Sequence, residues 1–289
     1  VFLWVATTLL CMIGIVKRLR IKDFWWQGIL VFSGFLFLQQ GPVYYHLLIS
    51  AIVVLFGYKK ERLWEALLVV ILASCWAGIS RINWYPLPGA LAALLYVLET
   101  PLQENEKGNF SLKQPLLLLC VGVVCAFLSN LAYIPLSGNS EIQNFTTSLT
   151  SDLLWYRLLP SPTFPKGILT GILWLTSPLL VLFILRMHSI NAQFNKLQKL
   201  YIGAILLVFF VGGLFVSVKI GGGSNLHNMD AFMLLLLVSV YYVCFSDNYP
   251  TFTMSISHTL SIVLMLVLLM QPLFWSLSAW NPRRIYSGE

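Results

Sequence analysis

Charge is what this chain has least of. Only 10% of its 289 residues are Asp, Glu, Lys or Arg, against roughly 25% in an ordinary soluble domain. No segment is polar enough to fold by itself in water, so a soluble enzyme is excluded, although the length would accommodate two domains. Histidine is equally scarce, with four residues. There is no HExxH, no P-loop and no Ser/His/Asp or Cys/His set in a recognisable local context, which removes the familiar zinc, nucleotide and triad chemistries. The five cysteines, Cys11, Cys75, Cys120, Cys125 and Cys244, form no CxxC pair and sit within or at the ends of apolar runs. They read as small core residues, with no disulfide framework and no metal site. Repeats of fixed period and low-complexity tracts are absent, and no two halves look alike, which disfavours a transporter built from inverted repeats.

What fills the sequence instead is apolar: 58% hydrophobic residues and a mean hydropathy of +0.80. A helix needs about 20 such residues to span a bilayer, with roughly 17 to 25 tolerated. On that measure about ten runs qualify, at 1–16, 25–40, 42–57, 63–80, 84–98, 115–136, 167–187, 200–218, 231–246 and 257–277. The fold class predicted is therefore all-α, a polytopic integral membrane helical bundle of spanning and half-spanning helices in one domain over 1–289. Gln39-Gln40-Gly41-Pro42 and Trp84-Tyr85-Pro86-Leu87-Pro88 interrupt the apolar pattern. They predict tight hairpins or half-helices enclosed by protein, because loose backbone does not face lipid.

Orientation follows from the basic residues. If connections alternate, Lys17, Arg18, Arg20, Lys22, Lys59, Lys60, Arg62, Lys107, Lys113, Arg186, Lys196 and Lys199 share one side. Arg81, Arg157, Lys166, Lys219, Arg283 and Arg284 fall on the other. The first side is assigned to the cytoplasm. The net charge of +7 is then a matter of topology and lipid headgroups, and nucleic acid is not an expected partner.

Polarity on the outward side is concentrated in three places. The loop 137–166 is expected to lie at the interface, with Leu149 to Leu159 as a short amphipathic helix carrying Arg157. The turn Ser80-Arg81-Ile82-Asn83-Trp84 puts a planar cation beside aromatic rings. Arg81 can hold a phosphate there, and Trp84 and Tyr85 can stack on a sugar or anchor at the interface. The third is Lys219-Ile-Gly-Gly-Gly-Ser-Asn-Leu-His-Asn-Met-Asp230. Backbone amides of Gly221, Gly222 and Gly223 can turn towards one anion near a helix start, with Lys219 adding charge. Asn225, His227 and Asn228 offer hydrogen bonds to sugar or phosphate, and Asp230 can cap the next helix. The same stretch also fits a plain hairpin, with Lys219 reaching to the headgroups. His46 and His258 read as core or interface histidines.

Ser80-Arg81-x-Asn83-Trp84-x-Pro86 and Lys219-Ile-Gly-Gly-Gly-Ser-Asn225, among many short spans, resemble the C-terminal part of GT-C fold membrane glycosyltransferases, of the polyprenyl- or dolichyl-phosphate mannosyltransferase kind. The resemblance implies transfer of a hexosyl or pentosyl group from a polyprenyl-phosphate-linked donor on the extracytoplasmic face of a cell membrane, taken here as a bacterial inner (plasma) membrane. Arg81, Lys219, Gly221, Gly222, Gly223, Asn225, His227 and Asn228 would bind donor, with Asn83, Trp84, Arg157 and Asp230 as secondary candidates. No metal ligands are assigned, and a divalent cation is compatible with the chemistry. The family's catalytic carboxylate belongs to an early outward loop. The chain, which opens at Val1 within an apolar run, is accordingly expected to be part of a longer protein. The expected partners are membrane lipid and the lipid-linked donor; the acceptor is not specified. An O-antigen ligase or polymerase and a multi-span transporter are the alternatives.

Overall fold

The structure is a computed structural model that describes residues 2–40, 44–101, 110–138, 152–162, 164–219, 226–249, 270–274, 276 and 277. It is all-helical apart from turns and one isolated bridge between Ser161 and Phe164. Nine helices follow in chain order among the described residues: α1 (Phe2–Arg18), α2 (Phe24–Leu38), α3 (Tyr45–Gly57), α4 (Leu63–Ser80), α5 (Leu87–Leu98), α6 (Lys113–Leu136), α7 (Ile168–Ser189), α8 (Lys196–Lys219) and α9 (Asp230–Phe245). A further helical stretch at 270–274 meets the end of α2, where the Gln40 amide donates to the carbonyl of Pro272 at 3.2 Å. These helices coincide with nine of the ten apolar runs. Most of the tenth, 257–277, lies outside the described residues, as does His258.

Five segments are long and apolar enough to cross a membrane: Leu63–Ser80, Lys113–Leu136, Ile168–Ser189, Lys196–Lys219 and His227–Phe245. The protein is an integral membrane helical bundle. Its helices divide by how much of their surface is covered. α9 is buried along nearly its whole length, from Asp230 to Cys244, and so is α5, from Leu87 to Leu98 with the exception of Tyr96. A helix apolar on every face belongs inside a bundle. The outer helices instead turn Leu68, Leu72, Phe127, Trp174, Leu207 and Val208 outwards, as a lipid-facing surface requires. At 12 residues, α5 is about 18 Å long, well short of the ~30 Å hydrocarbon layer. It is the half-helix foreseen from its prolines. Pro88 sits in its first turn, where the missing N–H costs nothing, and its ends are sheltered by protein.

Close backbone approach fixes the packing of α6. A Cβ on Gly122 would lie 2.8 Å from the Cα of Gly89 on α5, and the opposing atom is main chain, which cannot step aside. Small residues let apolar helices meet where lipid tails offer no competing hydrophobic drive. Gly122→Leu is expected to lower the thermal midpoint in detergent by several degrees, whereas Gly203→Leu, at a site open to lipid, leaves it unchanged. Parallel melts of the two variants check this.

The two ends of the bundle differ in character. At one, Arg18 on α1 donates to Glu99 after α5 through Nε at 3.0 Å and Nη2 at 2.6 Å, and through Nη1 to the carbonyls of Leu55 and Tyr58. Lys60, Gln198 and Tyr249 close on the same connection, donating to the carbonyls of Glu99, Thr100 and Leu98. Burial first, and then Glu99, push the Tyr58 hydroxyl well above the ordinary tyrosine range. This is the end where the basic connectors gather. At the other end the starts of α3 and α9 meet the finish of α4, and those are the elements that build the candidate site.

The 137–166 connection departs from expectation. Residues 139–151 lie outside the described residues. The remainder is no amphipathic helix but an extended segment with a single 3₁₀ turn at Trp155–Leu158. The N–H of Leu154 donates to the carbonyl of Val218 at 3.0 Å, so the backbone bonds to α8 instead of to itself. Pro160 and Pro165, with the Ser161–Phe164 bridge between them, leave no room for a longer helix.

Candidate functional site at the Arg81 end

The chain leaves α4 at Arg81, makes a 3₁₀ turn over Ile82–Trp84 and enters α5. That turn seats Trp84 with 0% exposure, and its indole Nε1 donates to Asp230 Oδ1 at 3.0 Å. The same oxygen accepts the Ala231 amide at 2.7 Å. Asp230 is therefore not only the expected helix-start carboxylate. It is the first residue of α9, satisfies one N–H of that helix, and bolts α9 to the α4–α5 turn. The expectation that Trp84 stacks on a sugar or anchors at the interface is corrected by this bond. An indole held edge-on by a buried carboxylate offers no ring face to a ligand.

Arg81 is the part of this assembly that reaches outwards, with 19% of its side chain exposed. Nη2 donates to Asn228 Oδ1, Nη1 lies 3.8 Å from Asp230 Oδ2, and the guanidinium rests over the ring of Tyr44, 5.4 Å from its centroid. The Asn228 turn reaches this position because Gly213 on α8 has no side chain: a Cβ there would meet the Asn228 carbonyl oxygen at 2.9 Å. The 80–84 turn and residues 226–230 thus meet through the Arg81–Asn228 hydrogen bond.

Tyr44 extends the site into an aromatic wall. Its ring stacks on His46 at 5.6 Å and meets His227 edge-on at 6.2 Å, and both imidazoles lie within electrostatic reach of Arg81. The ring is 49% exposed, available to whatever Arg81 holds. Tyr44 was not singled out by sequence, and His46 was read as a core or interface histidine. The signal was present in Tyr44-Tyr45-His46 just after Gly41-Pro42-Val43, an aromatic cluster beginning a span on the outward side.

Four buried side-chain atoms of this corner have no hydrogen-bond partner among the described residues: Arg81 Nη1, Asp230 Oδ2 and both amide atoms of Asn83. Buried polar groups are otherwise satisfied almost without exception, and leaving one bare costs about 1–3 kcal/mol. Two of the four, Arg81 Nη1 and Asp230 Oδ2, face each other at 3.8 Å.

The other candidates stand as follows. Lys219 ends α8, its ammonium 5.9 Å from the centroid of Phe215. Arg157 lies half-buried in the 3₁₀ turn docked on the end of α8. Gly221, Gly222, Gly223 and Asn225 lie outside the described residues. Among the described residues, no three His, Cys, Asp or Glu side chains gather as metal ligands.

No family model, curated protein or solved structure matches this chain. The resemblance to GT-C enzymes accordingly rests on its two short motifs, and the site has to be judged by its own geometry.

Proposed function

We propose that the protein is a glycosyltransferase that takes a sugar from a polyprenyl-phosphate-linked donor at the Arg81 end of the bundle. The observation that carries this reading is the Arg81 guanidinium, held by Asn228 and Asp230 on its buried side, resting over Tyr44 and 19% exposed. A phosphate oxygen completes that arrangement, since the planar fork of arginine suits phosphate and is strongest when one side is already fixed. A lipid-linked phosphate reaches the site from the bilayer, which a water-soluble nucleotide sugar does not. The sugar then lies against Tyr44, His46 and His227, whose rings supply apolar faces and hydrogen bonds. By the excess of basic residues at the opposite end, this end is extracytoplasmic, in the inner membrane of a bacterium.

In the reaction the acceptor oxygen bonds to the anomeric carbon as the carbon–oxygen bond to phosphate breaks. The electron pair stays with the departing polyprenyl phosphate, and the acceptor proton passes to a carboxylate. Arg81 stabilises the charge that grows on the leaving phosphate. Asp230 is unsuited to take the proton, because it has 0% exposure and one oxygen already accepts two N–H groups; its part is to position Arg81 and Trp84. The base belongs to the early outward loop that the GT-C resemblance implies.

The test is transfer of radiolabelled sugar from a polyprenyl-phosphate donor by membranes containing the full-length protein. Transfer is expected from that donor and not from the corresponding nucleotide sugar. Tyr44→Ala should weaken donor use about tenfold, the scale of a lost cation–π and ring contact, through KM more than kcat. Transfer from the nucleotide sugar alone, or none from either donor, would refute the reading.

A further inference from the structure

The opposite end of the bundle carries a cationic cavity beside an apolar groove. A cavity of about 420 Å³ opens beside the Arg18–Glu99 pair, with five cations, Lys17, Arg18, Arg20, Lys59 and Lys60, against two carboxylates, Glu61 and Glu99, in its lining. Arg18 is committed to Glu99 and to two carbonyls, and Lys60 to the Glu99 carbonyl; Lys59 pairs with Glu65 at 3.1 Å. Lys17 and Arg20 are exposed cations of the lining outside these pairings. The Lys17 ammonium stands 5.8 Å from the Phe56 ring centroid. Arg20 has φ of +60°, the only non-glycine residue in the left-handed region among those described.

Lys17 also belongs to the lining of a neighbouring cavity, of about 540 Å³, between α1 and α2. This one is apolar, walled by Leu9, Ile13, Val31 and Phe32. A Cβ built on Gly28, within that groove, meets nothing within 4 Å. An apolar groove that shares a lysine with a cationic cavity has the shape and polarity of one amphipathic anion, acyl chain in the groove and charged head against Lys17 and Arg20. We propose that this end of the protein binds one anionic phospholipid, independently of the Arg81 site. A free phosphate would satisfy the cations and leave the groove unused, and a zwitterionic lipid would fill the groove while bringing its own cation into a cationic cavity.

Native mass spectrometry of the full-length protein in detergent tests this, with phosphatidylglycerol, phosphatidylcholine and glycerol phosphate as probes. Phosphatidylglycerol is expected to be retained over phosphatidylcholine, and glycerol phosphate not retained. Lys17→Gln and Arg20→Gln should each reduce the preference about fivefold, as expected for one cation beside an anionic headgroup. Gly28→Phe, at a position where a Cβ meets nothing within 4 Å, should lose both lipids while melting like the wild type. Equal retention of the two lipids by the wild type, an undiminished preference in the Lys17→Gln/Arg20→Gln protein, or glycerol phosphate retained as well as the lipid would each overturn the proposal.

Discussion

Arg81→Ala is expected to lower sugar transfer at least about 100-fold, the scale of removing one preorganised charge donor from a reacting centre. The variant deletes a partly exposed cation that is fixed in place by Asn228 and Asp230. It also leaves the Asp230 carboxylate, wholly buried, without its counter-charge, and an unpaired buried charge is itself destabilising. Activity and stability can be separated with Arg81→Lys. Lysine keeps the charge facing Asp230 but cannot serve Asn228 and a phosphate together through one planar fork. Arg81→Lys should therefore melt near the wild type and still lose roughly tenfold in transfer. If both variants retain full turnover while folded, Arg81 does not hold the leaving phosphate.

The second large effect is on the fold. Glu99→Ala should cost about 3 kcal/mol of stability, because it strands Arg18 in a site where each partner's side chain is only 15% exposed and breaking a buried pair costs on that order. Glu99 Oε1 alone accepts from Arg18 Nε, Arg18 Nη2 and the Tyr242 hydroxyl, so one atom joins α1, the end of α5 and α9. Replacing both partners, as Arg18→Met/Glu99→Leu, should be milder than either single change, since the desolvation of both charges disappears with them. Denaturation of the singles and the double in a mutant cycle measures this. Additive losses would show that the two side chains do not act as a pair.

Much of the architecture could be read along the chain because spanning helices are announced by local composition. The apolar runs mark where α1 to α9 lie, and Pro88 and the polar breaks mark where some of them begin. The division into inner and outer helices is a different matter. The runs at 84–98 and 231–246 look no different from those at 115–136 and 200–218, since an apolar residue suits lipid and protein equally. Only α5 and α9 are enclosed.

The site was half legible for the same reason. Arg81, Asn228 and Asp230 stand out as polar groups in an apolar chain, and alternation of spans puts them on one face. Trp84 was misread because a tryptophan at a span end has the same local setting whether its N–H meets interfacial water or a carboxylate 146 residues away. His46 was set aside as a core or interface histidine at the edge of an apolar run; its ring partners are its neighbours Tyr44 and Tyr45, and Tyr44 also meets the distant His227. Arg18 and Glu99 looked like a basic connector and a solvated segment, and their pairing across 81 residues has no local trace.

Whether Arg81 receives the phosphate of a lipid-linked sugar can be measured by equilibrium binding of a fluorescent polyprenyl-phosphate sugar to the full-length protein in nanodiscs, for the wild type and for Arg81→Lys, with equal thermal stability checked first. Saturable binding is expected for the wild type, weakened about tenfold in Arg81→Lys and displaced by unlabelled polyprenyl phosphate. Binding of the same strength in both proteins, or none in the wild type, would contradict that role for Arg81.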